Sequence, residues 1–267
     1  MDTEGTGWEL ILNAAEGALQ LVLTHDEELI CAQLWGRGDR ATEILAPALA
    51  DMARACGLRL RQLRRMACVR GPGSFTGVRL VLTTAAALRR TAPGLQLAGL
   101  DYLQALATSA AMDHRLPFGT PIAVLTHARR NLVHFQPHVS YGWRIPAQPA
   151  ADVRLCSPED ALALLAATGT PGAACGSGLQ RNPRLLEQLA GIPALLCVDQ
   201  LRLPSVDALR LLARHGDYAR EDITPLYVRP CDAVDNLPQL ARRMGLDAGE
   251  AQAELQRQLH RPPASME

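Results

Sequence analysis

Gly71-Pro72-Gly73-Ser74-Phe75-Thr76-Gly77-Val78-Arg79-Leu80 is the stretch whose reading decides the fold. It follows a short apolar run, residues 66–69, and leads into a helical pattern that continues to about residue 90. The order is strand, glycine-rich turn, helix. Three glycines and a proline in seven residues mark a tight, fixed backbone path. Ser74 or Thr76 is placed to cap the helix that follows. The first turn of that helix leaves backbone N–H groups unpaired, so Gly71, Gly73, Ser74 and Gly77 form a structural loop that could also hold an anion. The loop is not a P-loop, because no Gly-Lys-Ser/Thr follows it, and it is not the dinucleotide fingerprint. It is not a G-x-S-x-G nucleophile elbow either, because residue 72 is proline.

Working outward, three apolar runs precede the loop, at residues 8–13, 18–24 and 28–35. Their close spacing reads as an antiparallel meander. Ile44, Leu45, Ala48, Leu49, Met52, Ala53 and Cys56 then fall on one helical face, with Thr42 as its expected cap and Gly57 as its stop. After the loop and its helix come a strand at 95–99 and a helix that Asp101 can cap. The second half repeats the order. Strands are expected at 121–126, 132–138 and 143–145, then a helix after Ser157-Pro158-Glu159-Asp160, a strand at 173–175, a turn at Gly176-Ser177-Gly178 and a helix at 183–190. A strand at 194–198 and a helix capped by Ser205 complete the cycle. Strands alternating with helices after a meander, twice over, argue an α/β fold with two similar lobes, each a mixed sheet flanked by helices. The lobes are expected over residues 8–105 and 106–230. A polar helical or disordered tail is expected over 231–267.

Composition sets limits. The chain has 267 residues and zero formal net charge, so no global field favours nucleic acid or an acidic membrane; Arg59 to Arg65 is a local basic cluster. The sequence contains no lysine, which removes Schiff-base, lysine-base and P-loop-cation chemistry. Seven cysteines without C-x-x-C read as reduced, buried thiols rather than a disulfide frame or zinc site. No run reaches the ~18 apolar residues needed to span a bilayer, and the polar start lacks a signal-peptide pattern. A cytoplasmic protein without a membrane partner is expected.

His134 and His138 form H-x-x-x-H, but within a strand-like run. At ~3.3 Å per residue they would sit ~13 Å apart, too far for one ion, so they read as surface histidines. Asp199, Asp207 and Asp217 are spaced as caps and solvated faces. No metal, cofactor or catalytic residue is expected. The helix after the glycine loop carries one stripe of Val78, Leu82 and Ala85 and another of Phe75, Arg79, Thr83, Ala86 and Arg90, with residues 83–87 all small. Small residues allow a neighbouring element to approach closely.

The ten-residue wording of the loop resembles the TsaB (YeaZ) family. Supporting matches run from residue 8 to 229. They are the first hairpin at 10–23, Thr42-Glu43-x-Leu45-x-Pro47, Ala128-Arg129 followed by residues 131–135, Pro204 with Ala208, and Thr224-Pro225-Leu226-Tyr227-Val228-Arg229. The resemblance implies an actin-like (ASKHA, ribonuclease H-like) fold. It implies a non-catalytic scaffold subunit that binds and activates a TsaD-like transferase, with a TsaE-like ATPase, in placing threonylcarbamoyl on N6 of the adenosine beside the tRNA anticodon. It also implies a homodimer in isolation, and contact with tRNA only through the complex. The helix after the loop would build the partner interface, with Phe75, Thr76, Arg79, Thr83 and Ala86 as its residues. Three positions depart from the family. Asn13 stands where the hairpin has aspartate, Ala41 where histidine is common and His127 where aspartate is common. Actin-like kinases and ATPases hold Mg–nucleotide with that aspartate, and a neutral amide is a poor substitute for it at a hard cation. The alternative reading is a divergent actin-like ATPase or phosphotransferase that uses its glycine turns as phosphate cradles.

Overall fold

The computed structural model describes residues 7–167, 172–228 and 232–259. Residues Met1–Val228 form one compact unit and Arg229–Glu267 a second.

The first unit opens with β1 (Trp8–Asn13), β2 (Leu19–His25) and β3 (Glu28–Trp35), then α1 (Ala41–Ala55), β4 (Leu63–Gly71), α2 (Phe75–Thr91), β5 (Gln96–Asp101) and α3 (Tyr102–Asp113). The second half follows as β6 (Pro121–Arg129), β7 (Leu132–Val139), β8 (Gln148–Pro149), β9 (Arg154–Cys156), α4 (Pro158–Ala167) and β10 (Ala173–Cys175). It ends with α5 (Ser177–Arg181), α6 (Pro183–Ala190), β11 (Leu196–Val198) and α7 (Val206–Arg214). The first sheet has the order β3-β2-β1-β4-β5, antiparallel across β1–β3 and parallel from β1 to β5. The second has the order β11-β10-β6-β7-β8, with β9 also on β7. It repeats the plan, an antiparallel hairpin (β6–β7) whose first strand pairs parallel with β10, and β10 with β11. This is the mixed-sheet, helix-flanked plan of an actin-like fold.

Three apolar clusters show why the sequence layers this way. The alternating residues of β1 separate Leu10 and Leu12, on the side of α1 and α2, from Ile11, on the side of α3. Leu45, Ala48, Leu49 and Met52 of α1 and Val81 and Ala85 of α2 fill the first side. The other side packs on α3 and α7, whose Leu103, Leu106, Leu209 and Leu212 meet Ile122 and Val124 of the second sheet. α3 is therefore buried nearly all round, from Tyr102 and Leu103 through Ala111, and the expected division at 105/106 falls inside it. Ala161 and Leu165 of α4 and Leu185 and Leu189 of α6 cover the far face of the second sheet.

Several local expectations need correction. Residues 143–145 are not a strand: the chain reaches β7 again only through the short β8 and β9. α1 begins at Ala41 after Arg40, so Thr42 lies inside the helix and makes no cap. Asp101 stands at the start of α3 but does not cap it; its carboxylate accepts instead from Arg70 Nε at 2.6 Å. Cys68 and Cys175 are buried, whereas Cys31, Cys56, Cys156 and Cys197 are only half-buried; Cys231 lies outside the described residues. His134 and His138 are not surface residues. They are 3% and 1% exposed, with His134 Nδ1 against Thr126 Oγ1 and His138 Nδ1 donating to the Gln136 carbonyl. They lie on the face of β7 opposite Val133 and Phe135, and that face is buried as well, which the H-x-x-x-H spacing alone does not reveal. In the second unit, the described residues form α8 (Asp232–Arg243) and α9 (Ala248–Leu259).

Candidate functional site

The glycine loop closes on its own chain. Ser74 caps α2, its Oγ accepting from the Gly77 N–H at 3.2 Å, and its own N–H donates to the Ala15 carbonyl at 2.6 Å. A Cβ on Gly73 would overlap the Ala15 carbonyl oxygen, and one on Gly77 the Ala14 carbonyl oxygen. The glycines are thus needed for the close approach of the loop to the end of β1. On the other side, Gly71 (φ +113°) lies under the Leu226 carbonyl, and the Leu226 N–H donates to the Arg70 carbonyl at 2.8 Å. The loop is held between the first hairpin and the segment 224–228. Arg229, which ends the resembling stretch, lies outside the described residues.

The same segment lies along α2. Near the C-terminal end of the helix, Arg89 pairs with Asp222 at 2.8 Å and donates to the Arg220 carbonyl. Near its start, Tyr227 stacks on Phe75 with ring centroids 5.3 Å apart, and its hydroxyl accepts from Arg79 Nε at 3.0 Å. The Arg79 guanidinium also lies 3.9 Å from the Phe75 ring centre. Of the five expected interface residues, Phe75 and Arg79 are therefore engaged by Tyr227. Thr76 and Thr83 are exposed and Ala86 is half-buried. Ala87 and Arg90 extend the exposed strip. On the neighbouring α1, the exposed residues include Thr42, Ala46, Pro47 and Ala50. Small side chains thus form part of the outer surface of α1 and α2, beside the exposed charges of Glu43, Asp51, Arg54, Arg79 and Arg90.

The second centre lies between the two halves, where the first strands of both sheets end. Asn13 is fully buried; its amide donates to Gln20 Oε1 at 2.7 Å and its carbonyl oxygen accepts from the Ala15 N–H at 2.9 Å. Gln20 in turn donates to the Pro204 carbonyl. On the opposite side, Gly176 (φ +109°) and Gly178 have no room for a Cβ beside the Leu125 carbonyl, so the turn after β10 clasps β6 as the loop after β4 clasps β1. Glu16 bridges the two: it accepts a hydrogen bond from Ser177 Oγ, and Ser177 Oγ accepts from the His127 N–H at 2.9 Å. Burial pushes the Glu16 carboxyl upward against the hydrogen bonds of Ser177 and Tyr102 and the charge of Arg181. Burial and the neighbouring Glu16 hold the Tyr102 phenol well above its ordinary range, while burial and Arg181 lower His127. A buried carboxyl thus stands where the two glycine clasps meet, with Arg181 the cation acting on it. Among the described residues, no three His, Cys, Asp or Glu side chains converge as metal ligands.

The sequence gives no sign of the contacts of Glu16 with Ser177 or of Tyr227 with Phe75, nor of a role for Tyr102. Glu16-Gly17 carried only a turn signal, and Gly176-Ser177-Gly178 reads as a turn although α5 starts at Ser177.

The comparisons bear on both centres. The family model described as "TsaD: tRNA N6-adenosine threonylcarbamoyltransferase" matches residues 39–177, just over half of the chain, from the start of α1 to the second glycine turn. Comparison with the curated proteins finds no match. Among solved structures, an uncharacterized protein from Pseudomonas aeruginosa "with similarity to peptidase YEAZ" is 21% identical, with a TM-score of 0.68 over 84% of this chain and 100% of that one. YeaZ from Pseudomonas aeruginosa is also 21% identical, with a TM-score of 0.65 over 83% of this chain and 99% of that one. At this identity the likeness is one of fold.

Proposed function

This chain belongs to the family described as TsaD, tRNA N6-adenosine threonylcarbamoyltransferase, and from that premise we propose that it is a TsaB (YeaZ)-type, non-catalytic subunit of a tRNA N6-threonylcarbamoyladenosine system. Its role is to bind and activate a TsaD-type transferase, in a complex that a TsaE-type ATPase serves. The observation that carries the reading is the contrast between the two centres. The α1–α2 face carries small, accessible side chains at Thr76, Thr83 and Ala87, flanked by the exposed Arg79 and Arg90. The position where an actin-like enzyme would hold a nucleotide carries the Glu16–Ser177 bridge and a buried, fully engaged Asn13. Around Thr83 and Ala87 the side chains are small, and a helix surface of small side chains admits a partner helix closely, at interaxial distances of ~8–10 Å.

In this reading Thr76, Thr83 and Ala86 touch the partner directly. Phe75 and Arg79 support the helix start, where Tyr227 fixes them. In the absence of the transferase subunit, a second copy occupies the same face. The test is copurification with a TsaD-type subunit from the same genome, scored by mass in light scattering. A complex in which this chain alone turns over no nucleotide, and the transferase depends on it, supports the reading. Turnover of ATP by the isolated chain would favour a divergent actin-like ATPase or phosphotransferase instead.

A further inference from the structure

A second surface lies away from α1 and α2. A groove of about 510 Å³ is lined by Met112 of α3, Trp143 and Arg144 of the loop before β8, and Asp207, Arg210, Leu211 and Arg214 of α7. That volume is within the range of small-ligand sites, ~300–1,000 Å³. Three guanidinium groups, of Arg144, Arg210 and Arg214, stand against two carboxylates, Asp207 in the lining and Glu27 beside it. Two of the three are fixed: Arg210 donates to Asp207 at 2.9 Å and to the Glu27 carbonyl at 2.8 Å, and Arg214 pairs with the Glu27 carboxylate at 3.0 Å. Arg144 lies 4.3 Å from the Trp143 ring centre, a cation–π pair at the rim.

Trp143 is 52% exposed, yet its loop is anchored at both ends. Upstream, Ser140 Oγ donates to the Leu116 carbonyl and accepts from the Gly142 N–H, and Phe118 meets Tyr141 edge-on at 5.0 Å. Gly142 takes φ +84°, which turns the chain so that Trp143 follows directly. Downstream, Ala147 donates to Thr108 Oγ1 at 3.1 Å and accepts from Gln104 Nε2 at 2.9 Å. A large indole held out to solvent by a well-anchored loop, beside guanidinium groups that are already oriented, is a stacking platform with an anion-binding wall. With Arg210 and Arg214 each paired to a carboxylate, the positive charge left over is one guanidinium, that of Arg144 beside the ring; an acidic peptide would use that charge but not the ring face, and a neutral sugar the ring but not the charge. A nucleotide uses both.

We propose that this groove holds a single exposed nucleotide of an RNA strand, its base stacked on Trp143 and its phosphate beside Arg144. The proposal rests on the tRNA-system reading for the source of that strand, and it gives this subunit a direct contact with the substrate RNA.

The probe is a single-stranded hexa-adenylate RNA added to the full chain. Binding is read by anisotropy of a 5′-labelled strand and by quenching of tryptophan fluorescence. The expected result is saturable quenching that disappears in Trp143→Phe while affinity is largely kept. Trp143→Ala weakens binding about tenfold or more. Arg144→Ala makes the slope of log K against log salt shallower by about 0.7. Three results overturn the proposal: Trp143→Ala binding as tightly as the parent, quenching that persists in Trp143→Phe, or hexaglutamate or anionic vesicles competing as well as the RNA. The Trp143→Ala chain is expected to copurify with a TsaD-type subunit as the parent does. Loss of RNA binding with assembly intact supports the groove. Failure of the parent chain to assemble removes the subunit reading without touching the binding result.

Discussion

Ser177 donates a hydrogen bond to Glu16 across 161 residues of sequence, joining the turn after β10 to the hairpin after β1. The bond is placed where the two strand-end clasps meet, one formed by Gly73 and Gly77 on Ala14 and Ala15, the other by Gly176 and Gly178 on Leu125. It couples the ends of the first strands of the two sheets.

The pH response of that bond follows from its burial. A carboxyl raised in the folded chain is protonated there at pH values where the unfolded chain, near its ordinary 4.5, has lost its proton. Glu16 therefore costs no stability below that value and costs increasingly as pH rises through the folded pKa. Glu16→Gln keeps an acceptor for Ser177 and removes the ionisation. Urea unfolding is expected to show the variant more stable than the parent at pH 7.5, with the gap closing at pH 4. A constant gap across that range contradicts the assignment.

His138 gives the opposite slope. Burial lowers it to about 4, with Nδ1–H donated to the Gln136 carbonyl. Above the ordinary imidazole value of ~6.5 it is neutral in both states. As pH falls toward 4 only the unfolded chain takes the proton, and stability declines by up to about 3 kcal/mol. The difference in urea midpoint between the parent and His138→Gln should shrink, or reverse, on going from pH 7.5 to 4.5. A difference independent of pH would mean that His138 titrates normally.

The glycine loop predicts a sharp contrast. Gly77→Ala gains about 1 kcal/mol in helix propensity. Its Cβ nevertheless collides with the Ala14 carbonyl, backbone that cannot swing away. A net loss of about 3 kcal/mol or more is expected, and the same for Gly73→Ala. Gly94→Ala, where a Cβ meets nothing within 4 Å, should stay within about 0.5 kcal/mol of the parent. Equal midpoints for Gly77→Ala and Gly94→Ala in denaturant would contradict the role given to the loop.

Tyr227 holds the start of α2 by two separable contacts. Tyr227→Phe keeps the stack on Phe75 and loses the Arg79 hydrogen bond, which is half-exposed and contributes about 0.5–1 kcal/mol. Tyr227→Ala also loses the ring pair and should cost about 1 kcal/mol more. Thermal unfolding of the two variants separates the terms; identical midpoints would show that the ring does not hold the helix.

The parts legible in the sequence are those set by neighbours in the chain. Ser74 and Ser205 cap their helices because a side-chain oxygen reaches an N–H three residues on. The alternation in β1 sorts Leu10 and Leu12 from Ile11 whatever lies beyond. Legibility ends where a partner is distant. Glu16 meets Ser177, and Phe75 meets Tyr227, only after both halves have folded. Asp101 occupies a cap position, but Arg70 on the adjacent strand takes its carboxylate. Trp143, Arg144 and Ile145 look like a strand by composition, yet the anchors at Ser140 and Ala147 hold them as a loop. The small residues at helical spacing stay accessible at Thr83 and Ala87, while Phe75 is half-buried and the exposed Arg79 is engaged by the distant Tyr227, which spacing along the helix does not reveal.

The central claim is that the outer face of α2 carries a partner, and Thr83→Arg tests it most directly. Thr83 is exposed, so an arginine there should leave the monomer's thermal midpoint within about 1 °C of the parent. Light scattering of the chain mixed with its TsaD-type transferase should give the mass of a heteromeric complex for the parent and of separate proteins for Thr83→Arg. A complex of unchanged mass and affinity in Thr83→Arg, or none with the parent, would contradict the account.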